Sequence, residues 1–160
     1  MTFAARILTV SDGVVAGARE DASGPALVAR LAAVGATVDR HAVCRDGVDE
    51  VAGALRDLTE DFSGLVVTTG GTGFGPRDLT PEGTRAVIER EAPGFVEAVR
   101  RASDAEGRPL GMLSRAVAGT VGTALVLNVP GSPRGAVEAL DVCLPGVPHA
   151  LELLVGGRPH

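Results

Sequence analysis

Short apolar segments alternate along the chain with longer segments of helical periodicity, and this alternation constrains the fold more than any other feature. The strand-like segments are residues 3–10, 37–43, 65–69, 116–119 and 124–129, and the helical ones are 24–34, 48–62, 80 to about 91, 93–102 and 133–156, the last interrupted by two prolines. Such alternation predicts an α/β fold, a three-layer sandwich with a mostly parallel sheet. We expect residues 116–129 to form a hairpin at one antiparallel edge. A chain of 160 residues is long enough for a single domain over 1–160.

The composition excludes several classes of protein. Fifteen basic against 20 acidic residues give a net charge of −5, and there is no Trp or Tyr, which opposes a nucleic-acid surface built on basic patches or base stacking. All basic residues are Arg, so a P-loop lysine and a lysine Schiff base are excluded. No apolar run approaches the roughly 18 residues of a membrane span, and the N-terminus lacks the features of a signal peptide. We therefore expect a cytoplasmic protein that binds neither nucleic acid nor membrane.

The residues that often serve as nucleophiles or metal ligands give little support for such roles. Cys44 and Cys143 are far apart and lack metal-binding spacing, so we expect them to be small buried side chains. His41, His149 and His160 have no partners at metal or triad spacing, and the chain has no G-x-S-x-G motif. No protein nucleophile is predicted.

The segment TTGGTGFGPRDLTPE, residues 68–82, carries the strongest local signal. Its glycines allow backbone N–H groups to approach a ligand closely. Thr80 as an N-cap and Pro81 in the first turn predict that a helix begins here, with partial positive charge at its N-terminus. The combination suits a phosphate or another oxyanion. A glycine-rich turn alone fits a flexible connector equally well.

Polar residues follow the predicted carboxyl ends of the strands. In a parallel sheet the ligand crevice lies beyond these ends, so the loops 11–23, 70–80 and 130–132 and the loop at Asp46 should converge on one site. Asp78 has two interpretations: a Mg²⁺ ligand acting together with substrate phosphates, or a helix-entry carboxylate bonded to backbone N–H groups. Four further polar side chains could fix a ligand or act as caps and turns: Ser11, Ser114, Asn128 and Ser132.

Five blocks of sequence, 9–27, 66–84, 92–100, 112–133 and 144–154, include the specific motifs GGTGFGPRDLTPE and LNVPGSP. In this order, and over nearly the whole chain, they resemble the MogA/MoaB family of molybdenum cofactor biosynthesis proteins, which includes the G domain of gephyrin. The resemblance implies a homotrimer that binds molybdopterin and transfers an adenylyl group from ATP to it with Mg²⁺, releasing pyrophosphate. It also implies a molybdate-insertion partner protein. The C-terminal helices and residues 103–113, within a segment predicted to be irregular, are the candidate trimer contacts.

By the same resemblance, Asp78 matches the aspartate of the GPRD motif and Asp46 the aspartate after the second strand. Both would be catalytic and would hold the metal. Where relatives have Pro-Asp-Glu, this chain has Arg-Asp-Gly at 45–47, so Asp49 is the alternative to Asp46. The implied substrate-binding residues are Ser11, Asp12, Thr69, Gly70, Gly71, Thr72, Gly73, Arg77, Thr80, Ser114, Asn128, Pro130, Gly131 and Ser132. Membership leaves two other functions open, a non-catalytic molybdopterin carrier or scaffold of the MoaB type and a general nucleotide-binding regulator.

Overall fold

A six-stranded sheet forms the middle layer of the structure, a computed structural model that describes residues 2–105, 107 and 111–157. The strands are β1 (Ala4–Val10), β2 (Thr37–Cys44), β3 (Gly64–Thr69), β4 (Arg90–Glu91), β5 (Ala118–Val121) and β6 (Ala124–Val129), in the spatial order β2-β1-β3-β6-β5-β4. The first four in that order are parallel, and β5 and β4 pair antiparallel at one side. The predicted fold class, a three-layer α/β sandwich with one antiparallel edge, is confirmed.

Helices cover both faces of the sheet. They are α1 (Asp12–Val15), α2 (Ser23–Ala33), α3 (Val48–Thr59), α4 (Thr80–Arg85), α5 (Pro93–Ala105), α6 (Pro133–Cys143) and α7 (Val147–Leu154). One aliphatic core lies between the sheet and α2, α5, α6 and α7, and the other lies under α3. Since side chains alternate along a strand, Leu65 and Val67 enter the first core and Val66 enters the second. Every residue of β3 and β6 is buried, as a strand covered on both faces requires.

The prediction of one helix from 80 to about 91 was wrong in its second half. Helix α4 ends at Arg85, and residues 90–91 form the edge strand β4. The backbone N–H groups of Glu89 and Ala92 donate to carbonyls of β5, those of Thr120 and Ala118, both at 2.8 Å. Residues 89–92 therefore join the sheet, although their sequence pattern is typical of a helix. The predicted hairpin therefore lies one strand inside the edge, and its first strand begins at Ala118 rather than 116.

Other element boundaries differ as well. Helix α3 ends at Thr59 rather than 62, because the chain turns through a positive φ of 48° at Asp61. The predicted loop 11–23 contains the short helix α1, and α5 extends to Ala105 instead of 102. Within the segment predicted to be irregular, Gly111–Leu113 form a 3-10 turn, and residues 106 and 108–110 lie outside the described residues.

Candidate functional site

The loops after β1, β2, β3 and β6 converge, as predicted, beyond the carboxyl ends of these strands. They enclose a cavity of about 480 Å³. Eight of the predicted site residues border it: Ser11, Asp46, Thr69, Gly70, Gly71, Asp78, Gly131 and Ser132. The alternative carboxylate, Asp49, lies exposed in the first turn of α3 and does not border the cavity.

The turn that follows β3 can be made only with glycine at two successive positions. Gly70 and Gly71 have φ values of +99° and +65°, in the left-handed region that side chains rarely adopt. A Cβ at Gly70 would collide with the Val10 carbonyl oxygen, and one at Gly71 would collide with the Thr80 hydroxyl. The backbone therefore passes directly against the neighbouring loops, which is the close approach that the sequence predicted.

Two helices begin at this end of the sheet with a serine cap. The Ser11 hydroxyl accepts from Val14 N at the start of α1, and the Ser132 hydroxyl accepts from Gly135 N in the first turn of α6, both at 3.2 Å. The prediction that Thr80 is an N-cap was wrong. Thr80 lies inside the first turn of α4, and its hydroxyl instead donates to the Gly70 carbonyl at 2.9 Å, an acceptor that the sharp turn after β3 brings within reach.

Asp46 and Asp78 approach the cavity from different loops. Oδ2 of Asp46 accepts from the backbone N–H of Asp12, and Oδ2 of Asp78 accepts from that of Gly75, each at 2.8 Å. In the described part of the chain, no group of three or more His, Cys, Asp or Glu side chains could hold a metal ion. Two carboxylates at a cavity that also offers backbone N–H groups for phosphate fit a Mg²⁺ ion that is held partly by its substrate.

Asp12 and Arg77 pair with each other beside the cavity instead of lining it. Arg77 Nε lies 3.1 Å from Asp12 Oδ2, and Arg77 Nη2 donates to the Asp46 carbonyl at 2.6 Å. The hydrogen bond between the Arg77 and Asp12 side chains lowers the pKa of the Asp12 carboxyl and raises the pKa of Arg77. Both groups are therefore charged at neutral pH.

A second cavity of about 370 Å³ adjoins the first. Five predicted site residues border it: Thr72, Gly73, Ser114, Pro130 and Ser132. Its remaining wall is formed mainly by side chains of α5 and α6, including Val99, Ala139 and Val142. Because Ser132 borders both cavities, the N-terminus of α6 lies at their junction.

Asn128 lies in the protein interior and borders neither of these cavities. Its amide donates to the hydroxyls of Thr68 at 2.8 Å and Thr84 at 2.9 Å, and its oxygen accepts from Val117 N at 3.0 Å. These contacts connect β6 to β3, to α4 and to the segment before β5. Asn128 thus stabilises the framework of the site.

Arg115 was missed by the sequence reasoning, although it holds the glycine-rich loop in place. Its Nε donates to the Gly73 carbonyl at 2.8 Å, and its two terminal nitrogens contact the Asp78 carbonyl and the Glu82 carboxylate. The hydrogen bond from Arg115 lowers the pKa of Glu82. The only signal in the sequence was its place in the block 112–133, since its partners lie more than thirty residues away.

The loop before α2 reaches the cavity as predicted, but the residues with which it borders the cavity, Arg19, Glu20 and Asp21, were not among the predicted site residues. Asp21 accepts from Gly24 N in the first turn of α2 at 2.9 Å, and it also accepts from the Thr9 hydroxyl at 2.7 Å. Nε2 of His41 lies 3.0 Å from both Asp21 Oδ2 and the Thr9 hydroxyl. These contacts place His41 against two residues of the cavity wall. His160 lies outside the described residues.

The fold is an α/β sandwich with a cavity beyond the carboxyl ends of its parallel strands. The chain belongs to the family of probable molybdopterin binding domains, whose model matches residues 6–149, and the resemblance to MogA and MoaB proteins is confirmed.

Similar proteins cover most of this chain. It is 34% identical to a protein named molybdopterin adenylyltransferase from Helicobacter pylori strain J99, over 94% of this chain and 86% of that protein. It is 37% identical to the Haemophilus influenzae protein of the same name, over 94% of this chain and 83% of that protein. The crystal structure of the molybdopterin biosynthesis enzyme MoaB from Thermus thermophilus superposes with a TM-score of 0.88 at 42% identity, covering 96% of this chain and 97% of that one. Among the residues the structure describes, no helix has the length and apolar character needed to cross a membrane.

Proposed function

We propose that this protein acts in molybdenum cofactor biosynthesis as a Mg²⁺-dependent molybdopterin adenylyltransferase. The observation that carries the proposal is the pair of adjoining cavities, which share Ser132 and have two carboxylates, Asp46 and Asp78, at the wall of one of them. A reaction between two substrates requires two neighbouring sites. The names of the similar proteins support the same activity.

The chemistry suits a site without a protein nucleophile. An ionised phosphate oxygen of molybdopterin attacks the α-phosphorus of ATP, a new P–O bond forms, and the bond from that phosphorus to the bridging oxygen of the leaving pyrophosphate breaks. Both reacting groups are anions, so the barrier depends on positioning and on charge neutralisation. No proton has to be removed from the attacking group, which agrees with the absence of a catalytic triad from the sequence.

The chain's own groups would perform the positioning. The backbone N–H of Gly71 and the N-terminus of α6 at Ser132 would offer donors and partial positive charge to phosphates, whereas the Gly70 N–H already donates to the Val129 carbonyl at 3.4 Å. Asp46 and Asp78 would hold Mg²⁺, which when bound neutralises phosphate charge and withdraws electrons from the phosphorus. The α6 terminus lies where the two cavities meet, so the reacting phosphates would meet there.

Pyrophosphate release tests the proposal directly. Purified protein supplied with molybdopterin, ATP and Mg²⁺ should release pyrophosphate, and Asp46→Asn or Asp78→Asn should slow the chemical step at least about 10²-fold, on the order of 3 kcal/mol. Molybdopterin binding should persist in both variants, because neither change alters the backbone of the site.

Asp49→Asn is the matched control, since Asp49 is exposed and does not border the cavity. A silent Asp46→Asn with an inactive Asp49→Asn would mean that the alternative carboxylate is the functional one. Tight molybdopterin binding without pyrophosphate would favour the carrier or scaffold. ATP binding that is independent of molybdopterin would favour the nucleotide-binding regulator.

For the assembly we propose a homotrimer held by apolar contacts. Exposed apolar side chains occur in both regions suggested by the sequence: Met112 and Leu113 in the 3-10 turn, and Leu153 and Val155 at the end of α7. A cytoplasmic location and a molybdate-insertion partner stay predictions.

A further inference from the structure

Asp12 and Arg77 form an ion pair that connects the loops of the two proposed metal ligands. Asp12 N donates to Asp46 Oδ2 at 2.8 Å, and Asp46 N donates to Asp12 Oδ1 at 3.2 Å. This reciprocal pair ties the Asp46 carboxylate to the first residue of α1. The orientation of Asp46 therefore depends on where Asp12 lies.

Arg77 fixes Asp12 from the opposite side. Its Nε lies 3.1 Å from Asp12 Oδ2 and its Nη2 lies 3.3 Å from Asp12 Oδ1, so the guanidinium contacts both carboxylate oxygens. Nη2 also donates to the Asp46 carbonyl. Arg77 directly precedes Asp78, whose own carboxylate is fixed by Gly75 N. Polar contacts thus run from Asp46 through Asp12 to Arg77, and the backbone connects Arg77 to Asp78.

We propose that the Asp12–Arg77 pair is a positioning element that sets the placement of Asp46 relative to Asp78, and that neither residue binds substrate directly. This inference rests on the proposed function, because it assigns both carboxylates to one metal–phosphate complex. The pair is partly exposed, at 60% for Arg77 and 39% for Asp12. Exposed ion pairs contribute little to folding stability, so its main effect is geometric.

Charge and geometry predict opposite results at Arg77. If Arg77 acted only by its charge, its removal would strengthen the binding of a divalent cation, because a nearby positive charge would be gone. If it positions Asp46, its removal weakens cation binding in spite of that gain. Removing a residue that orients a metal ligand typically costs about tenfold or more in metal affinity.

The test compares the binding of Mn²⁺–ATP with that of metal-free ATP. The affinity for Mn²⁺–ATP is measured by water-proton relaxation, and the affinity for ATP in EDTA by calorimetry, for the wild type, Asp12→Asn, Arg77→Met and Arg77→Lys. We expect Asp12→Asn and Arg77→Met to weaken Mn²⁺–ATP about tenfold and to leave metal-free ATP unchanged. Arg77→Lys should restore only part of the loss, because an ammonium cannot contact both carboxylate oxygens as the guanidinium does.

Arg30→Met is the control, because Arg30 and Asp141 also form a partly exposed ion pair, at 35% and 41%, which lies between α2 and α6 and away from both candidate metal ligands. It should change neither affinity. All variants should unfold within about 4 °C of the wild type, as expected for exposed pairs.

Three results would overturn the inference and leave the proposed function standing. Unchanged or tighter Mn²⁺–ATP binding by Arg77→Met would leave only a charge effect. Equal weakening of metal-free ATP would make Arg77 a direct phosphate ligand. A large loss of thermal stability that accompanies the weaker binding would make the pair a folding element. A wild-type protein whose ATP affinity does not depend on the metal would instead overturn the metal-dependent function, and this inference with it.

Discussion

Replacement of Asn128 should destabilise the fold rather than remove a ligand contact. Asn128 is 4% exposed, and its side chain makes three hydrogen bonds, to Thr68, Thr84 and the backbone of Val117. Asn128→Leu keeps a similar volume but removes all three. The two donated bonds contribute about 1 kcal/mol each, and the Val117 N–H left buried without an acceptor costs about 1–3 kcal/mol. We therefore expect a loss of about 3–5 kcal/mol in the free energy of unfolding.

Urea unfolding followed by far-ultraviolet circular dichroism measures this loss, since the chain has no Trp or Tyr to report by fluorescence. The midpoint should fall while the m-value stays constant. Thr123→Ala is the control, because its hydroxyl makes an exposed contact with Ser63 and one longer hydrogen bond, of 3.3 Å, to the Phe62 carbonyl at the other end of the sheet, and it should cost about 1 kcal/mol or less. A change below about 1 kcal/mol in Asn128→Leu, together with lost molybdopterin or ATP binding, would place Asn128 at the ligand and refute the reasoning.

Three further predictions concern the turn, the thiols and the assembly. Gly71→Ala should abolish ATP binding, because residue 71 has a φ of +65° and the added Cβ would collide with Thr80. As the control, Gly53→Ala in α3, where nothing lies within 4 Å of the added Cβ, should stabilise the fold by about 0.5–1 kcal/mol. Wild-type ATP affinity in Gly71→Ala would argue against the close approach of the backbone to a ligand. Burial raises the pKa of Cys44 to about 12 and of Cys143 to about 11. Iodoacetamide at pH 8 should therefore modify both thiols at least about 10²-fold more slowly than free cysteine, and rapid modification of either thiol would contradict this prediction. Sedimentation should show a trimer of the 16.2 kDa chain that persists at high salt, since apolar burial is not screened; a monomer would refute the trimer, and dissociation by salt would indicate an electrostatic interface.

The central part of the fold could be predicted from local sequence because the signal there is local. The apolar run at 65–69 indicated a strand covered on both faces, and β3 is buried throughout. The edge strand β4 could not be predicted in this way. Its two residues pair with β5 almost thirty residues further along the chain, and a helical pattern in the sequence carries no information on such a partner.

The candidate site was predicted more reliably in its backbone than in its side chains. Successive glycines at 70 and 71 indicated a close approach, and their positive φ values agree. Polar side chains at strand ends were ambiguous, because the sequence does not say which way they point. The Asn128 side chain is on the same face of β6 as Val126, which belongs to the core under α3. Its amide therefore donates to the hydroxyl of Thr84 in α4 and does not enter the cavity. Arg115 and the Asp12–Arg77 pair depend on partners at least thirty residues away, which only the assembled fold brings together.

The topology also explains why these loops enclose a cavity at all. In the sheet, β1 lies between β2 and β3, so the chain leaves β1 towards one edge and continues from β3 towards the other. Helix α2, in the connection from β1 to β2, packs on one face of the sheet, whereas α4 after β3 packs beside α3 on the opposite face. The two connections therefore diverge at the carboxyl ends of neighbouring strands and leave a crevice between them. Thr9 and Thr69 are paired across this point and both border the cavity. The position of the cavity is thus a property of the strand order, while the chemistry we propose for it depends on Asp46, from the loop after β2, and Asp78, from the loop after β3, which both border that crevice.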